Sequence, residues 1–453
     1  MSAAEQREFR VIAPGQTIGS ITDAISDIVL EEATPFGWWI GFGISVALFL
    51  VLVAALSWLF VAGIGVWGIQ NPVAWGFAIA NYVWWIGLAS GGTIISALFF
   101  LTRSEWRTAT NRIAESMMLF CAAAAGIMPI IHLGRWWYFY WLFPYPNAMG
   151  TWPQFRSPLH WDFVALLAYV VASILFWYIG LIPDLATLRD RARGRRARLG
   201  YAVAALGWRG SSRQWRHFRA TYLVFAGLMA PLVCSVHSIV GLDFAGGLWP
   251  GWHSTQFPPY FVFGAVLSGF ALVLILVILL RHAYGLQAII TMRHVDVLAK
   301  LTLTCTLLIA YAYLIEAFMP FYSGNAYERT VALADFAGRY AWAYWGKITL
   351  NVVVAQLLWV PAIRRNQLAL IAIAAGIIVG MWLERMLIVI GSLYRGFLPA
   401  NWIPFVPTVW DWLTLIGSIG LFLTGFFLFL RFIPIVTMFE LRELVLRKEG
   451  ASR

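Results

Sequence analysis

Long apolar stretches separated by short polar ones set the pattern of this chain. Ten apolar runs can be traced: roughly 37–64, 77–101, 114–136, 160–182, 218–238, 258–281, 298–319, 341–361, 367–391 and 410–433. Each has about the 20 residues that a helix needs to cross about 30 Å of hydrocarbon. Inside lipid a backbone must satisfy its own polar groups, which helices do within a single segment. The expected fold is therefore an all-α integral membrane protein of about ten transmembrane helices. The eighth run is the weakest, because Lys347, Asn351 and Gln356 interrupt it. Residues 1–36 read as a polar N-terminal segment, 37–433 as the membrane domain and 434–453 as a tail. Ile21, Ile25, Ile28 and Val29 share one helical face, which predicts a short amphipathic helix on a membrane or partner surface.

Composition agrees and removes alternatives. The 453 residues are 61% hydrophobic and 12% charged, far from the roughly 45–50% and 25% of soluble domains. Lipid must cover what the chain's own polar surface cannot. The net charge of +11 would raise nucleic acid as a partner in a soluble protein, but here its placement matters more. Twenty-five Lys and Arg fall in the tails and even-numbered loops, against five (Arg135, Arg156, Arg329, Arg339 and Arg395) in the odd-numbered loops. The positive-inside rule then puts both termini in the cytoplasm. Ten Arg and two Asp crowd into 183–220, a loop suited to topology and to anionic lipid head groups, with a partner surface as the alternative. The first residues lack a basic segment followed by an apolar core, so no cleaved signal peptide is expected. Residues 136–161 hold eleven aromatics, more than an interfacial belt needs, which suggests a loop folded on protein or the rim of an apolar cavity.

Ionisable residues within spans are costly and point to function. Here they gather at one end. His132 closes the third run and precedes Arg135; His160 and Asp162 open the fourth; His237 and Asp243 close the fifth; Glu384, Arg385 and Arg395 lie around the end of the ninth; and Asp411 opens the tenth. Histidine and low-dielectric carboxyl groups exchange protons near neutrality, which suits oxidation of a quinol whose two protons must leave with its electrons. An interfacial, purely structural role is the bland alternative. A His132–His237 haem pair is a further one, although no span repeats histidines as two-haem cytochrome b bundles do. Thr302, Thr306, Tyr313 and Glu316 share one face of the seventh run. With Lys347, Asn351, Glu384 and Arg385 they form either interhelical pairs or a proton path. Cys121, Cys234 and Cys305 are isolated within apolar runs and read as buried thiols, with no spacing for an iron–sulfur cluster, haem or structural zinc. Gly87-x-x-x-Gly91 and Gly376-x-x-x-Gly380 suggest close helix packing.

The run Asn81-Tyr82-Val83-Trp84-Trp85-Ile86-Gly87-Leu88-Ala89-Ser90-Gly91-Gly92 resembles the signature of the polysulfide reductase membrane-subunit (NrfD-like) family. Phe263-Gly264-Ala265-Val266-Leu267-Ser268-Gly269 is a fainter echo. The extra first and last spans, His132-Leu133-Gly134-Arg135, Leu398-Pro399, Trp402 and Pro407-Thr408 are similar to the quinol-oxidising (ActC-like) membrane subunit of alternative complex III. The resemblance implies two four-helix bundles, about 77–238 and 258–391, in a multi-pass subunit of the bacterial cell membrane. It also implies menaquinol as bound substrate, with no haem or iron–sulfur cluster in this chain and no nucleic acid as partner. Implied partners are an extracytoplasmic iron–sulfur subunit, multihaem cytochrome c subunits and a paralogous membrane subunit. His132, Asp162 and Asp243 would bind quinol and accept protons, with Arg135, His237, Arg385 and Arg395 around them. Thr302, Thr306, Tyr313, Glu316, Lys347 and Glu384 would be the proton path. Competing readings are the paralogous subunit without a quinol site, an anchor of a molybdopterin oxidoreductase, a transporter and a structural anchor.

Overall fold

The computed structural model describes residues 11–31, 33–143 and 155–451. A short helix, α1 (Ile18–Leu30), precedes the apolar helices α2 (Phe36–Ala62), α3 (Phe77–Leu101), α4 (Asn111–His132) and α5 (Pro158–Arg191). The small helix α6 (Arg195–Ala204) leads into α7 (Ser212–Ala245), α8 (Phe257–Ala283) and α9 (Met292–Tyr322). Then come α10 (Ala326–Ala337), α11 (Ala341–Ile348), α12 (Gln367–Gly391), α13 (Val409–Phe432) and α14 (Met438–Ala451). Among the described residues, nine of these helices are long and apolar enough to cross a membrane. The protein is a multi-pass membrane protein.

The eighth apolar run departs from a simple span. α11 is eight residues long and passes into a π-turn at Thr349–Val353 and a 3-10 stretch at Val354–Trp359. The polar side chains that weaken this run turn inward. Asn351 is fully buried, donates from Nδ2 to the Tyr313 hydroxyl at 2.8 Å, and occupies the space left by Gly380. A Cβ on Gly380 would lie 2.2 Å from Asn351 Oδ1. Further π-turns occur at Ile94–Leu98 in α3 and Leu387–Gly391 in α12, both in buried helix.

Burial separates central from peripheral helices. The apolar windows of α3, α8 and α12 are 83%, 72% and 78% buried, against 22% for α2, whose other faces are left for lipid. α2 packs along α13, where Gly417 and Gly420 admit the backbone around Leu52 and Phe49. α3 and α8 cross where Gly91 meets Gly269: a Cβ on either would come within 2.3 Å of the other's backbone. No rotamer change relieves a backbone clash. Gly269→Leu should therefore cost about 3 kcal/mol or more by overpacking, measured as a lower Tm of the purified complex. Gly126→Ala, in open space, should leave Tm unchanged.

Three details differ from the sequence reading. The apolar face of α1 (Ile21, Ile25, Ile28 and Val29) is buried against this chain itself, on α14 and α5, and not on an outside surface. Arg191 clamps α1 through Asp23 and Ser26 (2.5 and 2.8 Å), Arg442 through Thr22 (2.9 Å) and Arg431 through the Val29 carbonyl (2.9 Å). Cys234 is exposed on α7, whereas Cys121 and Cys305 are buried. Asp411 is a cap: it accepts from the backbone N–H groups of Thr408 (2.8 Å) and Gly68 (2.9 Å), pinning the loop after α2 to the start of α13.

Candidate functional site

The loop between α5 and α7 marks an arginine-rich end of the molecule; the aromatic segment Trp136–Leu142 marks the opposite, aromatic end. At the aromatic end α3, α5 and α7 bring three side chains together. The Tyr82 hydroxyl lies 2.8 and 2.7 Å from the two oxygens of buried Asp162, one of which accepts its proton. Asp243, at the end of α7, is within hydrogen-bonding reach of Asp162. Two carboxyl groups so placed can bond to each other only through a shared proton. Asp243 Oδ1 is buried and has no partner among the described residues, and the same holds for His132 Nδ1 at the end of α4 and His160 Nδ1 on α5. Gly134, at φ +71°, turns the chain sharply after His132; a Cβ there would strike Ile64. Tyr82 lies inside the α3 signature run, and its period-3.6 position gave no hint that it would meet an acid.

The remaining members of the candidate set stand apart from this trio. Arg135 is exposed beyond α4. His237 is buried beside Ser90, with Nδ1 facing the Val233 carbonyl (2.9 Å) and Nε2 facing the Ile86 carbonyl (3.2 Å), and it ties α7 to α3. Arg395 bonds the Tyr394 hydroxyl at 2.9 Å and covers the Trp402 ring. Arg385 lies on the Phe261 ring at 4.2 Å, and Phe261 stacks on Phe244, the neighbour of Asp243. An aromatic wall thus separates the trio from a second polar cluster.

That cluster joins α9, α11 and α12. Tyr313 donates to Glu384, which also pairs with Arg385 at 2.9 Å. Lys347 donates to Glu316 at 3.0 Å and lies over the Tyr313 ring at 4.6 Å. A cavity of about 390 Å³ opens beside Glu316 and Lys347 and is also lined by His253, Glu328 and Asp335. Burial pushes the Asp335 carboxyl, on α10, up to about 7 although Lys347 pulls the other way. Thr302 and Thr306 are buried lower on the same face of α9. Thr302 back-bonds to the Leu298 carbonyl at 2.9 Å, and Thr306 Oγ1 has no partner among the described residues, so the row stops short of Tyr313.

A third cluster, toward the arginine-rich end of α4, α5 and α7, is absent from the sequence reading. Glu115 accepts from the Tyr222 hydroxyl (2.8 Å) and from Asn111 (3.2 Å) and pairs with Arg112 at 3.0 Å. Arg112 reaches Asp184 at 3.2 Å, and Asp184 accepts from the N–H groups of Met438 and Phe439 at the start of α14. Nearby, Arg107 pairs with Glu440. Glu115 falls within the third apolar run, so the rule that singled out Glu316 and Glu384 applied to it equally. Between this cluster and the trio lie Tyr169 with Thr93 (2.6 Å), and His237 with Ser90.

Residues 65–395 match the family model described as Polysulphide reductase, NrfD. The chain is 30% identical over 241 residues to a Halobacterium salinarum protein that is named as a membrane subunit of dimethyl sulfoxide reductase. That match covers 49% of this chain and 50% of the relative, so the chain spans about half the length of the curated relative it matches.

Proposed function

Because the chain belongs to the polysulphide reductase NrfD family of oxidoreductase membrane subunits, we propose that it is a quinol-oxidising subunit whose site is the Tyr82–Asp162–Asp243 trio. The orphaned buried atoms Asp243 Oδ1 and His132 Nδ1 carry this reading. Among the described residues nothing donates to Asp243 Oδ1 or bonds His132 Nδ1, and a quinol presents two hydroxyl donors. Oxidation of a quinol breaks two O–H bonds and releases two protons and two electrons, leaving quinone. Asp162, held by Tyr82, and Asp243 take one proton, and His132 takes the other as neutral imidazole. The electrons pass to an iron–sulfur partner on the extracytoplasmic side, then to multihaem cytochrome c subunits, with a paralogous membrane subunit in the same assembly. Menaquinol is the quinol this reading assigns, and Arg385 and Arg395 are its outlying cations. In this reading the arginine-rich end faces the cytoplasm, as the charge bias requires. Turnover of Asp162→Asn tests it.

The second cluster adds a proton path to the same proposal, running from Tyr313 and Glu384 through Lys347 and Glu316 to the Asp335 cavity. Glu316→Gln should abolish proton pumping by the reconstituted complex while quinol oxidation continues at close to its normal rate. Equal loss of both would reduce the cluster to a set of helix-joining pairs. A second functional reading, membrane anchor of a molybdopterin oxidoreductase, draws on the halobacterial relative's name. The chains that co-purify separate the two: multihaem and iron–sulfur chains support the first, a molybdopterin chain the second.

A further inference from the structure

We propose that α6 is an interfacial helix that seats the protein on an anionic phospholipid leaflet at the arginine-rich end. The inference rests on the membrane-spanning fold and not on the quinol reading. One face of α6 packs on this chain: Tyr178 donates to the Ala204 carbonyl at 2.7 Å, Tyr201 donates to the Phe432 carbonyl at 3.0 Å, and Ala205 is buried beside Leu181 and Leu185. These contacts fix its depth. Tyr178 lies inside the fourth apolar run and Phe432 ends α13, so the C-terminal turn of α6 lies level with membrane-embedded helix.

The opposite face has no protein on it among the described residues. Leu199 and Val203, four apart on the helix, are 65% and 68% exposed, and Leu206, past its end at φ +47°, is 67% exposed. On α5, Val171, Ile174 and Leu175 are exposed as well. In water such a row is an unexplained apolar surface; against acyl chains it is ordinary. Charge then identifies the lipid. Arg195, Arg196 and Arg198 are exposed on the helix and have no carboxylate partner among the described residues, in contrast to Arg189, Arg191 and Arg193, which pair with Asp190, Asp23 and Glu31. An apolar row flanked by unpaired guanidinium groups matches a leaflet whose head groups are phosphates.

The test uses the purified complex in nanodiscs, with a spin label at Leu199→Cys, Val203→Cys or Leu206→Cys in a Cys234→Ala background, since Cys234 is the exposed native thiol. In discs containing phosphatidylglycerol, these labels should be at least fivefold less accessible to a water-soluble nickel chelate than a label at Gly194→Cys, and open to dissolved oxygen. Retention of phosphatidylglycerol over phosphatidylcholine around the complex should fall about fivefold for each of Arg195→Gln, Arg196→Gln and Arg198→Gln. Equal nickel access at all positions would place the face in water and overturn the proposal. Shielding from the nickel chelate and from oxygen alike would do the same, because another protein chain would then be the cover. Protection with no loss of phosphatidylglycerol retention when Arg195, Arg196 and Arg198 are all changed to Gln together would overturn the proposal.

Discussion

Asp162→Asn should lower quinol oxidation at least about 100-fold, the usual range for losing a positioned proton acceptor. The amide keeps the shape of the carboxyl and can still accept from Tyr82, so the complex should assemble with an unchanged Tm. It cannot take up a proton, and it cannot share one with Asp243. Asp243→Asn should fall similarly, and the double variant should be little worse than either single one, because the two act as a unit. Tyr82→Phe leaves both acids in place but frees Asp162 to turn; about a tenfold loss is expected, with the pH profile shifted. Quinol-driven reduction of the complex's electron acceptor measures all four. Turnover of Asp162→Asn at the wild-type rate would remove the trio as the site.

Arg112→Met should be among the most destabilising single changes in the molecule. Arg112, Glu115 and Asp184 have fully buried side chains, so the guanidinium is what makes two carboxylates tolerable there. Removing one partner of a buried ion group leaves uncompensated charge, typically at about 3–5 kcal/mol. The damage should spread to α14, since Asp184 also receives its first N–H groups. Two measurements follow: a markedly lower Tm, and cleavage of the C-terminal tail by protease at concentrations that spare the wild type. Adding Glu115→Gln to Arg112→Met should recover part of the loss. A variant as stable as wild type would mean that the cluster holds water or a proton in place of the arginine's charge.

The membrane fold was legible because lipid imposes one rule on every span: about 20 apolar residues with a self-satisfied backbone. Where polar side chains interrupted that rule, at Lys347 and Asn351, the α-helix gave way to a π-turn and a 3-10 stretch, and hydropathy alone could not specify how. The site was legible only by type. Histidines and acids at the aromatic end could be named, because charge inside a membrane is rare. Which of them meet depends on helix rotation, and the sequence holds no measure of that for helices tens of residues apart. Thus Asp162 and Asp243 converge, while His237 turns both nitrogens to carbonyls. Tyr82 was hidden among aromatics that pack for other reasons. Glu115 was hidden by its place in the first turns of a helix, where a charge ordinarily faces water.

The Gly91–Gly269 crossing carries a consequence of a different kind. The two glycines are the matching positions of the signature run and its echo, as are Tyr82 and Tyr260. Matching residues in contact are what a two-fold pairing of like elements produces. The matching tyrosines nevertheless stand in different surroundings. Tyr82 found an acid, while the Tyr260 hydroxyl is buried with no partner among the described residues, beside Tyr313 and Arg385. The crossing between their helices tolerates no side chain on either side.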